Sequence, residues 1–200
     1  MFTPAKEELE RGWPGRIDGD TVMQLAAQTL QSFFTGGSAA REHAEYPLAD
    51  VLLRAPVLEP PSVRLFEDAT RFVFANPSAI RSPGALVTRP DGRLDVATRL
   101  VAVIGLNGAI GGWTALAEWR APELAPPKDR DFALVLGPIV DTELADDFDW
   151  EAARALAELN TRLRPGDLLA APPLALHEDV PSGPLELTFN GLGVVGATVA

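Results

Sequence analysis

No cysteine occurs in this chain of 200 residues, and histidine appears only at His43 and His177. The first absence excludes disulfides, thiolate metal sites and cysteine nucleophiles. The second excludes a multi-histidine centre within one chain, because zinc and non-haem iron triads need more imidazole than this. No apolar stretch reaches the ~20 residues that a membrane span needs. The opening Met1-Phe2-Thr3-Pro4-Ala5-Lys6-Glu7-Glu8 lacks a basic start followed by an apolar run, so it does not read as a signal peptide. Nor does any Lys/Arg run exceed two residues, and the formal charge is −11 with a pI of about 4.6. An acidic balance of this size repels nucleic acid and anionic membrane. The expectation is a soluble cytoplasmic protein whose partner is a small molecule, with no nucleic acid and no membrane.

What the chain does have is 46% apolar residues, enough for one globular domain with a full core. Val22, Leu25, Ala26, Thr29, Leu30, Phe33 and Phe34 follow helical spacing after a cap at Asp20-Thr21, and Gly36-Gly37 ends the run. This predicts an amphipathic helix and an N-terminal helical extension over residues 1–45. From Tyr46 onward the chain turns to short apolar runs divided by proline. Leu100 to Gly105, Leu134 to Val140, Leu168 to Ala171, Leu185 to Phe189 and Val194 to Val199 predict buried strands, and Asn190-Gly191 predicts a hairpin turn. A second helix is predicted near Trp150 to Leu163, capped by Asp149 and stopped by Pro165-Gly166. Gly108, Gly111 and Gly112 lack the spacing of a nucleotide fingerprint. His43 and His177, each flanked by acidic residues, read as surface side chains, with a pocket rim as the other reading for His177.

Several short motifs follow one another in the second part. Tyr46 to Val57 opens the series, and Phe74-Ala75-Asn76-Pro77-Ser78-Ala79-Ile80 precedes Ser82-Pro83-Gly84. Leu94 to Gly105 leads to Gly112-Trp113-Thr114, and Lys128-Asp129-Arg130-Asp131-Phe132 to Gly137-Pro138. Leu163-Arg164-Pro165-Gly166-Asp167-Leu168-Leu169 and Gly183 to Gly193 close the chain. In this order and spacing, residues 46–200 resemble the fumarylacetoacetate hydrolase family. The resemblance implies an α+β, β-rich fold, a mixed β-sheet or β-roll, and a homodimer. It implies enolate chemistry on a small 2-oxo-carboxylate or 1,3-dicarbonyl compound: C–C hydrolysis, decarboxylation, tautomerisation or cyclisation.

Family members hold Mg²⁺ or a similar ion through a Glu-x-Glu pair and a later acid, an all-oxygen shell suited to a hard cation. Here the pair falls on Ala97 and Arg99, and the later acid on Glu118. The family lysine falls on Arg130, with Lys128 two residues earlier. Ala171-Pro172-Pro173 replaces a threonine-rich turn, and no histidine precedes Phe74 where many members place a base. Asp95 shares a strand face with Ala97 and Arg99 and is a candidate displaced ligand.

The substitutions predict a site without a metal ligand set and with no cofactor. Arg99 pairs with Glu118 and turns its remaining donors to a substrate carboxylate, Arg130 adds a second cation, and Glu118 carries protons. Lys128, Trp119, Arg120 and Asn76 are the candidate substrate-binding residues, although strand alternation sets Trp119 opposite Glu118. Trp113 reads as packing. Two functions stay open: a degenerate enzyme of this family acting without the divalent metal, or a non-catalytic binding or assembly protein that retains the scaffold, with a bare Arg99–Glu118 ion pair. Whether Arg99, Glu118 and Arg130 converge on one open pocket separates the two.

Overall fold

The computed structural model describes residues 1–7, 9, 12–144 and 146–200. The chain begins with β1 (Phe2–Pro4), the hairpin β2 (Gly15–Asp18) and β3 (Thr21–Leu25), a short helix α1 (Leu30–Thr35), β4 (Glu42–Pro47) and β5 (Val51–Leu53). Next come β6 (Val63–Asp68), β7 (Arg71–Ala75), β8 (Ile80–Arg81) and β9 (Ala85–Val87). Two long strands follow, β10 (Asp95–Ile104) and β11 (Ile110–Arg120). After them lie β12 (Leu134–Leu136), α2 (Trp150–Glu158), β13 (Leu168–Ala170) and β14 (Ala175–His177), then the closing hairpin β15 (Gly183–Phe189) and β16 (Gly193–Val199).

The central sheet runs β7-β6-β13-β10-β11-β12-β8, and β14 lies beyond β13 along the same edge of β10. It is mixed: β12 pairs parallel with β8 and β13 with β6, while its other pairings are antiparallel. Every residue of β10 is buried, because both faces of the sheet are covered, as expected of a continuous apolar run. Alternation divides β10 and β11 between two cores. Val96, Leu100, Ala102, Ala115, Ala117 and Trp119 face one core, closed by α2 and the β15–β16 hairpin. Val101, Val103 and Leu116 face the other, with Leu134, Leu136, Leu168 and Phe34.

The N-terminal helix predicted from Asp20 is not there. Thr21–Leu25 is strand β3, and only Leu30–Thr35 is helical. The decisive signal is Asp18-Gly19, with the β-branched Ile17 before it and Thr21-Val22 beyond Asp20. Gly19 takes a φ of +56°, which Gly supplies without strain at the first position of a tight hairpin turn, and Ile17 pairs with Val22 across it. The helix cap is Thr29, not Asp20: its Oγ1 accepts from Ser32 N at 3.0 Å while Ser32 Oγ accepts from Thr29 N at 2.9 Å. Val22 and Phe34 are buried all the same, so the apolar spacing reported burial correctly but not the element. The boundary expected between residues 45 and 46 falls inside β4.

The second helix is shorter than its apolar pattern. It ends at Glu158, although Leu163 beyond it still packs into the core. Asp149 caps it, Oδ1 accepting from Ala152 N at 2.9 Å. Asp149→Ala is expected to lower stability by about 1 kcal/mol, read as a shift in a denaturant midpoint with unchanged slope. The Leu-x-Pro-Gly-Asp motif is structural: Gly166 takes a φ of +89°, and Asp167 accepts from Ser62 Oγ at 2.6 Å and Arg164 N at 2.7 Å. Among the described residues no helix is long and apolar enough to cross a membrane.

Candidate functional site

Asp95 pairs with Arg120 across β10 and β11, Ala97 with Glu118 and Arg99 with Leu116, so the odd residues of β10 and the even ones of β11 share a face. Directly opposed residues in an antiparallel pair lie close enough to interact. This register brings Arg99, Glu118 and Arg120 together, and the loop before β12 supplies the third cation. That loop is tied to the end of β11 by Ala121 N donating to Asp129 O at 2.7 Å and Trp119 N to Ala133 O at 3.2 Å. Arg130 thereby reaches back over Glu118.

Glu118 is fully buried and is the hub. Its Oε2 accepts from Arg99 Nε at 2.6 Å and from Arg120 Nη2 at 2.7 Å. Its Oε1 has no hydrogen-bond partner, and Arg130 Nη1 stands 3.9 Å away. Arg130 Nε is held by Asp129 Oδ2 at 3.1 Å. The Oδ1 of Asp129 and the Nε of Arg120 are likewise buried and unpartnered. A buried polar group without a partner is costly, so the free Oε1 of Glu118 beside Arg130 is the feature of this cluster that a polar ligand could satisfy.

Arg99 is 2% exposed, and its Nε and Nη1 donors are taken up. Besides Nε on Glu118, Nη1 donates to Phe66 O at 2.8 Å and to Ala171 O at 2.7 Å. The expected pairing with Glu118 is present, but the expected fork toward a substrate is not, since Nη1 is turned to two backbone carbonyls and the side chain is almost wholly enclosed. The side chains with exposed surface are those of Arg120 at 22% and Arg130 at 31%. They, rather than Arg99, can meet a ligand. Sequence reasoning named Arg120 as a candidate substrate-binding residue but passed over Asp129, although Asp129 adjoins Arg130 in the Lys128–Asp131 run.

Burial pushes the Glu118 carboxyl up, but the hydrogen bond from Arg120 and the charge of Arg99 outweigh it and hold it below the usual carboxylate range. A carboxylate so held is a weak base, so the role of proton carrier expected for Glu118 does not suit it. Burial lowers the Arg99 guanidinium, with Glu118 opposing and Arg120 and Arg130 adding to the effect. It remains a cation, as guanidinium does throughout the working pH range.

The other candidates fall elsewhere. Trp119 is fully buried in the core on the opposite face, so it lines no site near Glu118. Lys128 is turned to solvent, 74% exposed, and pairs with Asp131 at 2.8 Å. Asn76 is structural: Oδ1 accepts from Ser78 N at 3.0 Å, capping a single 3-10 turn, and Nδ2 donates to Asp131 O at 3.0 Å. It steadies the loop that carries Arg130. Asp95 is spent on Arg93 at 3.0 Å and Asp179 N at 2.9 Å, so it is no displaced ligand. His177 is exposed and pairs with Val96, on the face away from Glu118.

The donor set does not fit a divalent ion. Among the described residues no group of three or more His, Cys, Asp or Glu could hold a metal. At the three positions that resemble the family's ligands stand an alanine, a guanidinium and one carboxylate whose Oε2 is already shared by two arginines. Two cavities, of about 590 and 640 Å³, are lined by the N-terminal sheet, α1 and nearby segments, and neither is lined by Glu118, Arg99 or Arg130.

Maleylpyruvate hydrolase from Sphingobium sp. SYK-6 superposes with a TM-score of 0.75, covering 96% of this chain and 97% of its own at 19% identity. A second structure of that enzyme holds manganese(II) and pyruvate. This is the fold of the fumarylacetoacetate hydrolase family. Two other structures with the fumarylacetoacetate hydrolase fold match as well. The 5-carboxymethyl-2-hydroxymuconate delta-isomerase from Mycobacterium smegmatis gives a TM-score of 0.71 at 18% identity, covering 94% of each chain. The 2-hydroxyhepta-2,4-diene-1,7-dioate isomerase from Mycobacterium marinum gives 0.71 at 18%, covering 94% of this chain and 92% of its own. No family model and no curated protein matches the chain by sequence. The likeness spans the first forty-five residues too, which the motifs did not reach. The fold carries over the whole chain at identities that leave the site free to differ.

Proposed function

We propose that the protein binds a small 2-oxo-carboxylate or 1,3-dicarbonyl compound at the Glu118 cluster and stabilises its enolate. The unpartnered Oε1 of Glu118, with Arg130 Nη1 3.9 Å away, is the observation that carries this reading. Arg120 and Arg130 offer charge-assisted donors to a carboxylate and an enolate oxygen. Neighbours of the same fold are a hydrolase and isomerases whose names specify oxo- and hydroxy-acids with two or three carboxylates, and one holds pyruvate. Hydrolysis of a C–C bond, decarboxylation and tautomerisation all pass through such an enolate.

The test is calorimetric titration of the full chain, after exhaustive chelation, with pyruvate and with oxalate, a planar mimic of the pyruvate enolate. One saturable site is expected, with oxalate the tighter ligand because it matches the charge of the enolate. Saturation by neither compound sinks the proposal. A second reading rests on a specific observation: Glu118 and Arg99 are sealed, and the two large cavities lie elsewhere. On that reading the chain is a scaffold that binds or assembles without catalysis, and failure of both ligands favours it.

A further inference from the structure

We infer that Arg99 is a cation built into the chain in the position of a divalent ion, and that Ala97→Glu with Arg99→Glu suffices to make the site bind one. The inference deepens the reading above, yet metal binding is measured without substrate, so the two stand or fall separately. A neighbour of this fold holds manganese. Here the Arg99 guanidinium gathers three oxygens instead, from Glu118 Oε2, Phe66 O and Ala171 O, at 2.6, 2.8 and 2.7 Å. They come from β11, from β6 and from the residue after β13, so three separate segments close around one positive group. A hard cation takes such an oxygen shell too, but it needs about six oxygen ligands with one or two free carboxylates among them, and the one carboxylate here is already shared by two arginines.

Charge decides which cation the place accepts. Arg99, Arg120 and Arg130 contribute three positive charges against the single negative charge of Glu118. A divalent ion entering this surplus is repelled before it finds a free oxygen. The double substitution removes one positive charge and adds two carboxylates, leaving two positive against three negative. Position 97 lies directly opposite Glu118 across β10 and β11, and position 99 is two residues along on the same face, so all three carboxylates would project into one place.

The full chain, stripped with a chelator, is titrated with manganese(II) and the free-ion resonance is followed by electron paramagnetic resonance. The wild type is expected to leave the free signal unchanged up to about millimolar manganese, and A97E/R99E to remove one equivalent at least about tenfold more tightly. Stoichiometric binding by the wild type, or a folded double variant no different from it, overturns the inference. Should the double variant fail to fold, Arg99→Ala decides the matter. Millimolar guanidinium is expected to raise its thermal midpoint saturably, while manganese and sodium do not. An equal rise with manganese, or none with guanidinium, rejects the idea that the place selects this kind of cation.

Discussion

Glu118→Ala is expected to destabilise the protein by about 3–5 kcal/mol, because it strands buried cations that share this one carboxylate. In a chain of this length that corresponds to a fall in melting temperature of roughly 10 °C. Arg99 and Arg120 both donate to Glu118 Oε2, and Arg99 is 2% exposed, so water cannot replace the lost partner. Removing both ends at once with Glu118→Leu and Arg99→Met is expected to cost less, since no fully buried charge is then stranded and Arg120, 22% exposed, can turn to solvent. A pH series checks the same point. The folded pKa of Glu118 lies below its ordinary value of 4.5. Its contribution is therefore complete above that value and is lost as pH falls through the lower, folded one. The stability advantage of the wild type over Glu118→Gln is expected to stay level from about pH 8 to pH 5 and to shrink below 4.5. An advantage that grows with acid contradicts the assignment.

Arg130→Ala is expected to weaken oxalate binding by about 10- to 100-fold, the loss of one charge-assisted hydrogen bond. Stability is expected to move by no more than about 0.5 kcal/mol, because the side chain is 31% exposed and stands 3.9 Å from Glu118 without bonding to it. Affinity and stability separate at this residue, whereas at Glu118 they fall together. Lys128→Ala is the control: 74% exposed and paired with Asp131, it is expected to leave both unchanged. Added salt is expected to weaken oxalate in the wild type more than in Arg130→Ala, since the arginine acts through charge near the surface. Equal affinity in the wild type and Arg130→Ala would remove Arg130 from the site.

Local chemistry made some elements readable from the chain and hid others. The long apolar run after Asp95 and the Asp149 cap each place an element through its own neighbours, and both are present. Ala97, Arg99 and Glu118 were brought together by motif order, and the register of β10 with β11 does bring them together. The N-terminus misled because Val22, Leu25, Leu30, Phe33 and Phe34 satisfy a helical spacing as well as a strand, a turn and a short helix packed on the same core. Only the Asp18-Gly19 turn distinguished the two.

The sequence alone determined which residue types compete at the site: one carboxylate, arginines in place of ligands, and neither cysteine nor paired histidines to hold a soft metal. It also determined that Trp119 and Glu118 point to opposite faces, because alternation along a strand is a local rule. Tertiary structure decided where the donors of Arg99 go. Its partners Phe66 O and Ala171 O lie 33 and 72 residues away, and a backbone carbonyl leaves no mark in a residue code. It also decided that Arg120 and Arg130, not Arg99, keep an open side, since exposure depends on which strands and loops close over a charge.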